Sequence, residues 1–425
     1  MKRFCILALA SAVTASLAGF ASAQADFFYG FEGLSNGNVF GQDGWGVQSA
    51  AKSDGVVVVD GGSPAGGGSK SLQLNPQGIA TATRVWRNFN DATDITSGKW
   101  LMTFDAKMFT YAGSPSVLLR VRPDGRDNNF GLQVFQAGIY QSATFTQVPA
   151  FFTDVDGFGQ PSPYQGLYWF DNTYGVMNNN NWYRVQYIMD YDANTITQEL
   201  IWDINSGTPN YLQSAYDPLQ TSPNGAFIGY FQSGELGYYD ATGSVMVGID
   251  DSATHLAADG GQVDNIGFTR LANVTGNISF DGYTGDVAAR DCRITWRDAS
   301  GATVFVNMFR CDSSGNYSIW APTGSNLTAM VEMEPAFVVW TWLNKASGTV
   351  NLTSAGLSGL NFTLINGDSN RDNSVDIADY AALSASYGLG LGDTGYDATC
   401  DFNGDDAVDI GDYAILSGNY NASGD

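Results

Sequence analysis

Apolar and polar positions divide the chain into three patterns. Between residues 26 and 271, short alternating or β-branched runs lie at 56–59, 100–109, 117–122, 130–135, 183–191, 195–202, 226–231, 245–249 and 263–269. Turns of Gly, Asn, Asp and Pro separate them, and none extends into a helical period, so each predicts a strand. Many short strands over about 240 residues predict one large sandwich or jelly roll. A second set follows at 274–280, 292–296, 303–310, 317–321, 329–333, 337–342 and 360–365, with hairpin turns at 298–301 and 312–316. About 95 residues of this kind predict an immunoglobulin-sized sandwich over 272–365. After 366 the spacing changes to three and four. Ile377, Tyr380, Leu383 and Tyr387 fall near one helical face, and Ile410, Tyr413, Leu416 and Tyr420 repeat them 33 residues later. Two short amphipathic helices that pack face to face are expected there.

The first 25 residues stand apart. Lys2 and Arg3 precede an apolar run to about Phe20, and Ala21, Ser22 and Ala23 follow. A basic start, a short apolar stretch and an A-x-A site read as a Sec-type signal peptide over 1–25. The run is too short for a membrane span, and no later stretch reaches the roughly 18 apolar residues that one needs. A secreted or cell-surface protein is expected. The formal charge is −24, and it becomes −26 when Lys2 and Arg3 leave. Such a charge excludes nucleic acid and anionic membrane as natural partners. Only five of the 43 acids are Glu. Asp is a poor helix former but a good turn and calcium residue. Cys292 and Cys311 stand 19 residues apart at the edges of strand-like runs, and an oxidising compartment predicts a disulfide between them. Cys5 leaves with the signal. Cys400 is left over, free or paired between molecules.

The strongest motif lies in 366–425, which holds twelve Asp, one Arg, and no Glu or Lys. Two twelve-residue loops, starting at Asp368 and Asp401, repeat at an offset of 33. Oxygen side chains occupy positions 1, 3, 5, 9 and 12 of both, with a backbone carbonyl available at position 7. Calcium takes six or more hard oxygens at about 2.4 Å, and one turning loop can bring alternate residues to a common centre. The first candidate set is Asp368, Asn370, Asp372, Ser374 (carbonyl), Asp376 and Asp379. The second is Asp401, Asn403, Asp405, Ala407 (carbonyl), Asp409 and Asp412. Each loop feeds one helix, and no convincing helix precedes it.

Two loops at this spacing, Val at position 8 and a helix only after the loop resemble the type I dockerin family. That resemblance covers about 60 residues. It implies two bound Ca2+ ions, calcium-dependent folding, and docking onto a cohesin-like partner, often on a scaffold that gathers polysaccharide-degrading enzymes. Two departures stand out. Position 6, usually Gly, is Asn373 and Asp406, both types that tolerate the left-handed conformation. Positions 10 and 11 read Ile-Ala and Ile-Gly, without the family's usual hydroxyl pair.

The opening segment from Phe28 to Gly33, the turn at Gln42–Trp45 and the closing run at 263–266 look like a concanavalin A-like, laminin-G-like jelly roll over 26–271. The 272–365 segment resembles a transthyretin-like or carboxypeptidase-regulatory-like sandwich and reads as a spacer. The expected fold class is therefore mainly β: a large jelly roll, a small sandwich, and a small helical calcium-loop unit. Jelly rolls of this kind bind glycans or carry glycosidases and lyases. The Glu-x-Asp-x-x-Glu string of such glycosidases is missing, although Asp pairs could substitute. His255 is the single histidine, which argues against a Ser-His-Asp triad or a zinc site. Phe135–Tyr140 is similar to an alginate-lyase strand, but the accompanying Gln-x-His motif is missing. Binding is preferred. Tyr164, Tyr168, Trp169 and Tyr174, in a segment rich in Gly, Pro and Asn, offer flat faces for sugar rings. Glu32 and Asp264, in the first and last strands, form a candidate third calcium site. The leading expectation is a non-catalytic glycan-binding module with a calcium-dependent dock. The alternatives are a polysaccharide-degrading enzyme and a structural envelope protein.

Overall fold

The computed structural model describes residues 26–47, 56–61, 64, 68–75, 83–90, 94–109, 116–126, 136–142, 148–153, 166–169, 178–193, 195–205, 210–215, 229–230, 242–249, 260–333 and 341–425. It is mainly β, with two short helices at the end. Two large sheets build the first part. In one, the strands run Asn210–Ala215, Thr195–Asp203, Tyr183–Asp190, Lys99–Met108, Gly261–Phe280, Lys70–Leu74, Val56–Asp60 and Gly37–Asn38. The other runs Gly166–Trp169, Val148–Thr153, Gln136–Ser142, Ser116–Asp124, Ser244–Ile249, Thr83–Asn88 and Gly46–Val47. Alternation explains the layering. Met102, Phe104, Ala106, Val185 and Tyr187 of the first sheet meet Val85, Leu119, Val121, Val245 and Val247 of the second in one buried cluster. This is the expected jelly-roll sandwich.

The residues between those core positions face outward, and on the first sheet some of them are apolar too. Leu101, Ile188 and Trp202 join a second cluster with Phe305, Val306, Ile319 and Val331 of the small sandwich. Trp202 Nε1 donates to Gln186 at 2.9 Å, and Gln186 Nε2 donates to the Val304 carbonyl at 3.3 Å. The small sandwich is therefore packed flat on one side of the jelly roll. The outer face of the second sheet looks the opposite way.

The 263–269 and 274–280 runs, expected as separate strands, are one strand, Gly261–Phe280, that passes unbroken from one sandwich into the other. Its first half pairs with Lys99–Met108 and Phe27–Tyr29. Its second half pairs with Asn316–Pro322 and, in parallel, with Phe362–Leu364. The two hairpin turns form as expected. Asp298 and Asp312 accept backbone N–H bonds from the residues two and four ahead, and Gly301 and Gly315 take φ of 85° and 80°.

The expected Cys292–Cys311 disulfide is not formed: both are buried free thiols. Phe309, not Cys311, lies opposite Cys292 in the ladder, and the two thiols meet only as hydrogen-bond neighbours past the last paired residue, Arg310. The Cys292 thiol faces the Arg290 carbonyl and the Met333 sulfur, and a hydrogen bond with Cys311 together with burial holds its pKa well above the usual thiol range. Cys400 is a third buried thiol, pushed up to about 11 mainly by burial. Among the described residues, no helix is long and apolar enough to cross a membrane. His255 and the run at 130–135 lie outside the described residues.

One polar network lies on the first sheet's outer face. Arg184 forks onto the fully buried Asp105 at 2.7 and 2.9 Å, and Asn265 donates to the same carboxylate at 2.7 Å. Arg184→Ala leaves that carboxylate buried without its cation, and a loss of about 3 kcal/mol is expected in urea unfolding. Adding Asp105→Asn should restore most of it, and a single variant as stable as the parent would contradict the role given to this pair.

Candidate functional site

The two loops repeat in backbone as they do in sequence. Asp376 and Asp409 cap the helices α1 (Ile377–Ser386) and α2 (Ile410–Gly418) with φ of −142° and −140°. In each helix the residue three positions on, Asp379 or Asp412, returns a bond to the cap N–H and completes a capping box. Loop positions 9 and 12 are thus the cap and the third helical residue. Position 6 is left-handed in both, with φ 65° at Asn373 and 68° at Asp406, as those residue types allow. Position 4 is left-handed as well, at Arg371 (66°) and Gly404 (75°), which the sequence did not signal for the arginine.

The inward carboxylates are already engaged by the loops. Asp368 accepts N–H bonds from Arg371, Asp372 and Asn373 at 2.7–3.1 Å. Asp379 accepts from Ser369, Asn370 and Asp376 at 2.8–3.2 Å. Asp401 and Asp412 repeat the pattern with Gly404, Asp405, Asp406, Asn403 and Asp409. Burial pushes Asp368 and Asp412 up in pKa. The loop N–H groups oppose this, and the charges of Asp379 and Asp401 reinforce it. Among the described residues no three acids converge on one point as the side chains stand. The donor chemistry nevertheless fits a hard cation: every ligand position is oxygen, with the Ser374 and Ala407 carbonyls at position 7.

The halves depend on each other. Val375 of loop 1 pairs with Asn421 and Ala422, the chain that follows α2. Val408 of loop 2 pairs with Gly388 and Leu389, the chain that follows α1. Leu383, Leu416, Phe402 and Cys400 fill a small core that also takes Leu343 from before the repeat. Each loop is fastened to the small sandwich as well. Asn373 Oδ1 accepts the Asn344 N–H at 2.9 Å, and Asp425 accepts from Lys345 at 2.6 Å. The Asn403 carbonyl accepts the Thr284 N–H at 2.9 Å, and the Tyr283 ring lies so close to Gly404 that a Cβ there would sit 2.4 Å from it.

Of each helix's apolar set, only Leu383 and Leu416 are buried. The rest face solvent in matched pairs: Ile377 and Ile410 at 64% and 65%, Tyr380 and Tyr413 at 41% and 40%, Tyr387 and Tyr420 at 49% and 42%. The expected face-to-face packing is therefore confined to the leucines, and the tyrosine rings of 380 and 413 touch edge-on at 6.3 Å.

In the jelly roll, Tyr164 and Tyr174 lie outside the described residues. Tyr168 and Trp169 lie on the edge strand Gly166–Trp169 of the second sheet. Register carries a row across that sheet: Arg84, Gly248, Arg120, Gly138, Ala150, Trp169. Sequence reasoning missed the arginines, because only strand register brings 84 and 120 together. Glu32 is held by the Ser69 and Lys70 N–H groups, which lower its pKa. Asp264 instead accepts the Asn265 N–H and pairs in register with Asp105, so the two candidate ligands sit in different networks.

No family model and no curated protein matches the chain. A chain of a type II cohesin–X–dockerin complex from Acetivibrio cellulolyticus is similar at 17% identity and TM-score 0.29, over 36% of this chain and 97% of that one. The endo-1,3-beta-glucanase of Streptomyces sioyaensis is similar at 10% and 0.36, over 59% and 98%. The alginate lyase of Aplysia kurodai is similar at 7% and 0.34, over 52% and 88%. Likenesses this distant carry no argument about function.

The two position-6 residues should respond differently to glycine. Asp406→Gly removes a left-handed Cβ and should leave the melting temperature unchanged or slightly raised. Asn373→Gly gains the same backbone ease but loses its bonds to Asn344 and Asp425, a net loss of about 1 kcal/mol. Matching shifts for the two variants would mean that Asn373 does not fasten the loop.

Proposed function

We propose that this is an exported two-ended adaptor, without catalysis of its own. One end folds around two calcium ions and docks onto a cohesin-like protein, and the other holds a polysaccharide. The single observation that carries the docking half is the duplicated exposed face. Six large side chains, Ile377, Tyr380, Tyr387 and their repeats, stay in solvent in equal pairs. Matched aromatic and aliphatic exposure on neighbouring helices is what a protein interface leaves open.

Calcium supplies positive charge at the centre of each loop. Asp368, Asn370, Asp372, the Ser374 carbonyl, Asp376 and Asp379 would hold one ion. Asp401, Asn403, Asp405, the Ala407 carbonyl, Asp409 and Asp412 would hold the other. Burial and mutual repulsion already raise the cost of keeping Asp368 and Asp412 ionised, and a cation offsets both. The polysaccharide half rests on Tyr168 and Trp169, neighbours on the edge strand of the second sheet. A further calcium at Glu32 or Asp264 has no shared network to rest on.

Calorimetric titration of the chelator-stripped chain should give two calcium ions per molecule. Asp379→Ala should give one, and Asp379→Ala with Asp412→Ala none. An unchanged stoichiometry in the double variant would remove calcium from these loops. Trp169→Ala should weaken retention on a recognised polysaccharide without moving the melting curve. Release of soluble sugar products from that polymer would replace the adaptor reading with an enzymatic one.

A further inference from the structure

On the reading that each loop holds one calcium ion, we infer that the two sites are unequal. Loop 2 (401–412) is the tighter, with Tyr396 as its positioning residue, and loop 1 (368–379) is the weaker, with Arg371 standing inside it. The repeat differs in charge. Loop 1 carries four Asp and one Arg, a net of −3, and loop 2 carries five Asp and no cation, a net of −5. The difference comes from positions 4 and 6, where Arg371 and Asn373 match Gly404 and Asp406. All four residues are left-handed, with φ of 65° to 75°, so the backbones agree there and only the side chains differ.

The surroundings do not cancel that difference. Loop 1 faces a cavity of about 150 Å³ against the small sandwich, where Asp368 and Arg371 share the wall with Arg293, Glu332 and Trp342. Arg293 and Glu332 are paired at 2.7 Å and add no net charge there. On the loop 2 side, Arg290 is bonded at 2.5 and 3.0 Å to the hydroxyl of Tyr283, whose ring lies against Gly404. That arginine belongs to the small sandwich, whereas Arg371 belongs to loop 1 itself. Fastening does not reverse the order either, since loop 1 is tied to the small sandwich at Thr341 and Asn344, and loop 2 at Thr284.

Tyr396 supplies a second difference. Its hydroxyl donates at 2.9 Å to Oδ2 of Asp401, position 1 of loop 2, and its ring packs on the small core that holds Cys400 and Phe402. The turn that carries it is itself fixed. The Tyr396 N–H donates to the Asp393 carbonyl at 3.2 Å, and Ser386 Oγ, at the end of α1, accepts the Asp397 N–H at 2.8 Å. Thirty-three residues before Tyr396 stands Thr363, exposed on the strand Phe362–Leu364, so loop 1 has no counterpart of this tyrosine. The affinity of an oxygen loop for a hard cation follows the charge around it and the rigidity of its ligands. Two charges at loop distance from a divalent ion are worth about tenfold after screening. A hydrogen bond that holds a ligating carboxylate in place is worth about tenfold more.

The test is calorimetric titration of the chelator-stripped full chain with calcium, at low and at physiological salt, with hydrogen exchange at one calcium per molecule to place the first ion. Two affinities at least about tenfold apart are expected, the tighter falling more steeply with salt. Protection should appear in 401–412 before 368–379. Tyr396→Phe, which keeps the ring, should weaken the tighter affinity about tenfold and leave the weaker where it was. Arg371→Gln should tighten the weaker one about fivefold. Melting curves in calcium identify folded variants. A folded Tyr396→Phe that leaves both affinities unchanged, or lowers both alike, overturns the role given to that hydroxyl. Equal protection of the two loops, or protection of loop 1 first, overturns the inequality and leaves calcium in both loops. No calcium bound at all overturns this inference and the calcium reading together.

Discussion

The strand Gly261–Phe280 is the constraint on which the rest of the molecule depends. Its first half is a central strand of the jelly roll, and its second half is a strand of the small sandwich. Apart from a bulge between Asp264 and Gly267, where Asn265 takes φ of 48°, the strand is held by its ladder bonds, each of which is costly to leave unmade. The apolar cluster around Leu101, Trp202 and Phe305 then fills the angle between the two sandwiches. A flexible linker would let the two ends of the protein wander. Here the outer face of the second sheet is held on the side away from the small sandwich, to which the two repeated loops are fastened.

Asp does most of the local work in the C-terminal part, because its short side chain reaches nearby backbone N–H groups. Asp376 and Asp409 start helices, while Asp379 and Asp412 close the loops from inside. Glu would overshoot several of these bonds. The same geometry faces oxygen atoms inward and accounts for the burial cost that lifts Asp368 and Asp412. Cross-repeat bonds at Val375 and Val408 mean that neither loop is complete alone.

Much of this was legible in the sequence. Alternation located most strands of both sandwiches, since a half-buried strand must alternate. The 33-residue repeat located both helices. What was not legible depends on pairing between distant segments. Nothing local distinguishes two strands from one at 263–280. The helix faces of Ile377 and Tyr380 read as core because periodicity reports a face, not what covers it. Asn373 in place of Gly looked like a departure, and its role needs Asn344, a residue far away in the chain, to be seen. Arg84 and Arg120 share a row only through Gly248, and a disulfide at Cys292 was expected from compartment without knowledge that Phe309 stands opposite.

The two repeated loops belong to one continuous body with the sandwiches, and hydrogen exchange on the full chain, with calcium and with chelator, tests this and the proposed calcium binding most directly. Chelation should release protection across 366–425 and at the two sandwich segments fastened to it, around Thr284 and Asn344. Exchange along Gly261–Phe280 should stay slow and even throughout. Exchange in 366–425 that ignores calcium, or a break in protection midway along that strand, would contradict the account.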